Sequence, residues 1–165
     1  MKALYTEAFP KEERVPLWIL FWRAQIEGVE FTGFYEEGSL VGFTYTISYG
    51  DLTYVFYLAI HSTVRSKGYG SKILQSIEGR HPANRLSLEI EDPEQPAANS
   101  GQRRRRLAFY RKNGYEPTGY KTVEGSTTYM MMGKNGPHTR EEHATLMEHF
   151  SGLLLRRMFK PKFVR

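Results

Sequence analysis

"VRSKGYGSKIL", residues 64–74, follows an apolar run, VFYLAI at 55–60, and leads into SKILQSIE at 71–78, which has helical spacing. A strand, a basic glycine turn and a helix therefore follow one another. Backbone N–H groups at a helix N-terminus lack internal partners and together carry about half a positive charge. Glycines at that point let an anion approach the backbone closely, and Arg65 and Lys67 add charge beside it. The segment is built to hold phosphates; otherwise it is only a tight turn. Two familiar nucleotide patterns fail on residues. A P-loop needs Gly-Lys followed by Ser or Thr, whereas Gly70 is followed by Ser71-Lys72. A dinucleotide turn needs a third glycine where Ile73 stands.

Outward from the turn, residues 7–25 have helical character interrupted at Pro10 and near Pro16, which predicts two short helices. Residues 31–36 and 40–48 are rich in β-branched and aromatic types, with a hairpin turn at Glu37-Gly38. Tyr49-Gly50-Asp51 turns the chain into a strand at 52–60. Downstream come a helix over 70–79, a strand at 85–91, and a polar loop with Pro93 and Pro96. A helix at 99–112 follows, with Asn99 and Gln102 in capping-box spacing. Residues 115–123 and 126–132 make a hairpin around Glu124-Gly125. Thr139 and Glu142 bound a second capping box, opening a helix with Leu146, Met147, Phe150, Leu153 and Leu154 on one stripe. Helices, an antiparallel meander, one crossover and a hairpin make a mixed α/β (α+β) chain.

The 165 residues support one domain with one core. Hydrophobic residues at 40% and charged residues at 25% suit a soluble protein. The longest apolar run, 15–22, is far shorter than the ~20 residues of a membrane span and reads as a buried helix turn, so no membrane partner is expected. The N-terminus lacks the basic-then-apolar pattern of a secretory signal, so a cytoplasmic location is expected. With no cysteine, disulfides, zinc-thiolate sites and an acyl-cysteine intermediate are excluded. Lys and Arg number 23 against 18 Asp and Glu; the net charge of +5 suits a polyanion, whether nucleic acid, a membrane surface or a phosphate-rich cofactor. His138, His143 and His149 are five and six residues apart, so no pair has the i, i+4 spacing of a helical metal site, and no metal is expected. His61 reads as solvent-exposed.

Arg65-Ser66-Lys67-Gly68-Tyr69-Gly70 resembles the Arg/Gln-x-x-Gly-x-Gly/Ala signature of the GNAT superfamily of acyl-CoA N-acyltransferases. The resemblance runs on through RLSLEIE at 85–91 to LAFYRKNGYEPTG at 107–119, a helix ending in a tyrosine and an Asn-Gly-Tyr turn; it covers 31–132. It implies a mixed, mostly antiparallel sheet with splayed parallel fourth and fifth strands, here 52–60 and 85–91, flanked by helices. It also implies acetyl-CoA as acyl donor. The pyrophosphate would lie in the turn on Arg65, Ser66, Lys67, Gly68, Tyr69, Gly70 and Ser71, and pantetheine would pair with the backbone near Ala59 and Ile60. Family members often place an asparagine near the start of the tyrosine helix against pantetheine. Here Arg103 stands seven before Tyr110 and the nearest asparagine is Asn99, so both are candidates, and Arg106 shares that face. The first strand of many members has no evident counterpart here. Residues 1–134 would form the acyltransferase domain; 135–165, an amphipathic helix and basic tail, would pack on it or on a second copy, giving a homodimer.

Acyl transfer to an amine needs a base for the amine, stabilisation of the oxyanion, and a proton for the thiolate. With no cysteine, the amine attacks the thioester directly in a ternary complex. Tyr110 aligns with the tyrosine that protonates the sulfur in many members; alternatively it only packs under the cofactor. Leu88-Glu89-Ile90 matches a family context for the base, so Glu89 is the first candidate and Glu91, on the same strand face, the reserve. The resemblance puts the acceptor, a small-molecule or protein amine, near Glu12, Glu13, Trp18, Tyr120 and Tyr129. A non-catalytic acyl-CoA-binding regulatory domain is the alternative, and a nucleic-acid module built on Arg103–Arg106 ranks last, for want of interleaved aromatics.

Overall fold

The computed structural model describes residues 1–164. The chain enters through two short helices, α1 (Lys2–Ala8) and α2 (Leu17–Arg23), separated by Pro10, a 3₁₀ turn Lys11–Glu13, and Pro16. A meander follows: β1 (Val29–Glu36), β2 (Ser39–Tyr49) and β3 (Leu52–Ile60), each antiparallel to the last. α3 (Tyr69–Arg80) crosses to β4 (Arg85–Glu91), which lies parallel to β3. α4 (Ser100–Lys112) leads to the hairpin β5 (Glu116–Glu124) and β6 (Thr127–Lys134), and β6 pairs with β4. α5 (Arg140–Leu155) and a two-residue β7 (Phe163–Val164) complete a sheet of order β1-β2-β3-β4-β6-β5-β7. This is the mixed, mostly antiparallel sheet with one parallel pair that the resemblance implies. Its fourth and fifth strands are third and fourth here, because the chain enters as helix.

The parallel pair is short. β3 and β4 are in register only from Leu52–Arg85 to Tyr54–Ser87, and beyond that the strands diverge. β3 stays paired with β2 as far as Ile60, across a bulge at Tyr45/Thr46, so the gap opens on its β4 side alone.

Two clusters pack the faces. One gathers Leu4 and Tyr5, Ile19 and Leu20, then Phe43, Tyr45 and Ile47, with Leu146, Met147, Phe150 and Phe159 laid across them. The other joins Leu74 and Ile77 of α3 to Leu86, Leu88 and Ile90 of β4 and to Tyr115. α5 is thus packed on the same core as the strands. Its Thr139 capping box forms, with Glu142 N–H donating to Oγ1 and the Glu142 carboxylate accepting from Thr139 N–H.

Three expectations need correction. The run 15–22 is not buried throughout: Ile19 and Leu20 are, but Trp18 is 67% exposed, and Phe21 and Trp22 are also exposed, because a two-turn helix lying on a sheet can bury one side only. The α5 stripe stops at Phe150, because Gly152 (φ 58°) interrupts the helix and turns Leu153 and Leu154 into solvent. Asn99 is the N-cap of α4, but its side chain makes no cap bond, so no box forms with Gln102. Among the described residues no helix is long and apolar enough to cross a membrane.

Candidate active site

The gap between β3 and β4 is the floor of a cleft of about 1330 Å³, lined by residues 55–60 of β3 and 88–91 of β4. α4 forms one side, through Gln102, Arg105, Arg106, Phe109 and Tyr110. Residues 6–10 and 12–16 form another, with Val123, Glu124, Gly125 and Tyr129. The backbone edge of β3 along the gap has no strand to pair with, since its ladder with β4 ends at Tyr54.

The glycine turn stands at one end. After a 3₁₀ turn, Ser62–Val64, the chain passes through left-handed conformations at Ser66 (φ 64°) and Gly68 (φ 85°), and α3 begins. Gly68 caps it, and Lys72 N–H donates to the Gly68 carbonyl as the first helical bond. The N–H groups of Tyr69, Gly70 and Ser71 therefore precede the helical ladder. The two glycines serve different ends. Around Gly68 a Cβ would meet nothing within 4 Å, so the backbone is open to an approaching anion. At Gly70 a Cβ would come within 2.9 Å of Phe109 Cζ, so this residue sets how closely α3 lies on α4. Arg65 is on the cleft wall, its Nε held by the Ile60 carbonyl at 3.2 Å; Ser66, Lys67 and Gly68 are exposed beyond it. Free amides, open backbone and cations at the end of a long cleft fit a diphosphate-bearing cofactor.

Glu89 is half-buried on the opposite wall. Thr122 Oγ1 donates to its Oε2 at 2.7 Å. Burial, reinforced by the charge of Glu124, outweighs the Thr122 and Tyr54 hydroxyls and pushes its carboxyl up to about 7. Glu13 joins these carboxylates from the N-terminal side, accepting from Tyr129 OH at 2.8 Å. Its backbone is pinned, since Tyr57 OH donates to the Glu13 carbonyl (2.7 Å) and Tyr5 OH to that of Val15 (2.9 Å). On α4, Tyr110 is half-buried, and burial pushes its phenol up to about 12, so it keeps its proton at neutral pH.

Ala59, Ile60, Arg65, Glu89, Asn99 and Tyr110 thus share one cleft. Arg103 does not face it. Its guanidinium is buried and spent on Asn99 Oδ1 (2.9 Å), the Asp92 carbonyl (3.1 Å) and Glu91 Oε1 (2.9 Å). The helix start crosses the end of β4, so position 103 meets the strand rather than a ligand. Arg105 and Arg106 take the place on the cleft wall that was expected of Arg103. Asn99 reaches the cleft, yet its amide donates to Glu91. Glu91, the reserve candidate, also lines the cleft and is ion-paired with both Arg103 and Arg106. On the acceptor side, Glu12, Glu13 and Tyr129 line the cleft. Tyr120 is buried against His138 (2.9 Å) and Trp18 lies outside. His61, read as solvent-exposed, is half-buried and its side chain accepts from Thr63 N–H, while His138 and His143 are buried. Thr122, Glu124 and Tyr54, which together with burial tune the proton affinity of Glu89, carry no local sequence signal, because their meeting depends on strand register.

The sequence pattern of one family, described as an acetyltransferase (GNAT) domain, matches residues 27–117, more than half of the chain. Among solved structures, a GNAT-family protein from Bacteroides thetaiotaomicron aligns with a TM-score of 0.72 at 21% identity, over 94% of this chain and 90% of that one. The ribosomal-protein-alanine N-acetyltransferase of Brucella melitensis aligns at 0.60 and 19%, over 80% and 90%. A GNAT-family acetyltransferase from Elizabethkingia anophelis, solved with acetyl-CoA bound, aligns at 0.51 and 12%, over 76% and 94%. A comparison with curated protein sequences finds no match.

Proposed function

Because the chain belongs to the GNAT family of acetyltransferases, we propose that its cleft moves an acetyl group from acetyl-CoA to an amine, by direct attack within a ternary complex. The observation that carries this reading is the gap between β3 and β4, with a high-affinity proton acceptor on one wall and a protonated phenol on the other. The cofactor, when bound, supplies an activated thioester. The chain supplies the rest. Amides of Tyr69, Gly70 and Ser71, with Arg65, Lys67, Arg105 and Arg106, hold the phosphates. The free edge of β3 near Ala59 and Ile60 pairs with the amide groups of the pantetheine arm. It also leaves an N–H to polarise the carbonyl.

Glu89 takes the ammonium proton of the acceptor. Thr122 Oγ1 donates to Oε2 and steadies the carboxylate. A carboxyl titrating near 7 is a far better base than an exposed one and is still half ionised at neutral pH. Tyr110 gives its hydroxyl proton to the departing sulfur and regains one from solvent. The cross-check is thiol release from acetyl-CoA over a panel of amines, with mass spectrometry of the product. Glu89→Gln is expected to lower kcat by roughly 10²–10⁴-fold and abolish the acidic limb near pH 7. Cofactor binding with no thiol released on any amine would instead identify a binding module.

A further inference from the structure

Beside Glu89 a second cavity of about 50 Å³ adjoins the cleft and shares Phe56, Glu124, Lys160 and Lys162 with it. Its wall carries Glu89, Tyr54 and Thr122 from the sheet, His143 from α5, and Lys160 and Lys162 from the segment that follows. His143 is 3% exposed, and its Nδ1 has no hydrogen-bond partner. Its ring stands edge-on to Tyr54, with centroids 4.8 Å apart, and is flanked by Phe163. A buried imidazole nitrogen left unpaired costs about 1–3 kcal/mol, and such groups are normally satisfied by protein or ordered water. The cavity exceeds the ~10–15 Å³ that one water needs, and a carboxylate, a phenol and an imidazole supply the two to four partners it requires. Every acetyl transfer also leaves Glu89 with a proton that must depart before the next turnover.

We propose that His143 is a positioning residue that holds water against Glu89 in this small cavity, so that the acceptor's proton leaves by way of that water past Lys160 and Lys162. This rests on Glu89 being the base. One proton arrives from the ammonium, one leaves to solvent, and His143 ends each cycle unchanged. Burial, with His138 nearby, holds the imidazole down to about 3, so it stays neutral and works by hydrogen bonding alone. The other groups that bear on the Glu89 proton are Tyr54 on β3, Thr122 and Glu124 on β5, and Glu13 from the N-terminal side. Burial raises the proton affinity of Tyr120 and Tyr129, and the Glu89 charge adds to it. α5 lies outside the region that matches the family pattern, so this device belongs to the chain's own C-terminal part.

The test compares His143→Phe, which keeps a ring, with His143→Asn, whose amide falls near the position of Nδ1. Phenylalanine is expected to lower kcat about tenfold and move the acidic limb upward, because Glu89 loses a water that favours its charge. KM for acetyl-CoA should not change. Asparagine should restore both the rate and the limb, which restored packing alone would not do. An unmoved limb in the phenylalanine variant, or asparagine behaving like phenylalanine, overturns the proposal. So does a crystal structure of the unmodified enzyme with no water between Glu89 and His143, a readout that needs no variant to fold. Glu89→Gln keeps the two ideas apart. If that variant loses the limb while His143→Phe does not shift it, the base assignment stands and the relay falls.

Discussion

Glu89 is destabilising because of the property proposed to make it useful. Its carboxyl binds a proton more tightly folded than unfolded, so ionising it above about pH 4.5 costs stability, and the full cost is reached above about 7. Glu89→Gln should therefore raise stability by on the order of 2–3 kcal/mol at pH 8 and change nothing near pH 4. Melting temperatures at the two pH values check this, and an equal shift at both would refute the buried-charge account. Tyr110→Phe should cost about a hundredfold in kcat, the low end for a lost general acid because a thiolate leaves tolerably well unaided. The alkaline limb should move with it, while calorimetry gives the same acetyl-CoA affinity. Full activity across the pH range would reduce Tyr110 to packing. Glu89 and Tyr110 were legible as candidates because each sits inside a contiguous pattern. Arg103 was misread because residue spacing locates a helix face but not which neighbour that face meets. The double ion pair that Arg103 and Arg106 make with Glu91 joins residues from two elements, and no single stretch of sequence carries it.

At the level of elements, α3 and α4 meet through Gly70 and Phe109, whereas Gly68 faces open space. The two glycines should then fail differently. Gly68→Asp is expected to weaken acetyl-CoA binding more than a hundredfold with little loss of Tm beyond the ~1 kcal/mol of a strained left-handed residue. Gly70→Ala should lower stability by roughly 1–3 kcal/mol through overpacking even without ligand. Calorimetry and thermal melts together separate the two, and identical behaviour would undo the division of roles. α5 brings its own pH dependence. His143 folds with its proton affinity depressed to about 3, so the unfolded chain takes up a proton below about pH 6.5 that the folded chain refuses. Stability falls as pH drops through that range, by about 2 kcal/mol at pH 5. Denaturant titrations of His143→Asn should show a flatter decline. Elements were the most readable level of the sequence: the hairpin turns at Glu37-Gly38 and Glu124-Gly125, the proline breaks and the Thr139 box are local chemistry. The two-residue β7 and the break at Gly152 were not, since each is fixed by what the chain packs against.

For the molecule as a whole, the sheet's middle is a thin join. Three residue pairs tie the half built from β1, β2 and β3 to the half built from β4, β6, β5 and β7. Beside them Arg85 acts as a clasp, bonding Asp51, Glu142 and the Pro137 carbonyl, each at 2.7 Å, so that the start of α5 is fastened across the join. The two halves thus share few rungs, and a ligand lying in the gap would supply the missing ones as a borrowed strand. Amide exchange offers a direct view of this. Acetyl-CoA should slow exchange most at residues 55–60, while β1 and β2 change little, because only the edge along the gap gains partners. Such a protein would be stiffened across its centre by the molecule it consumes, and would loosen there at each product release.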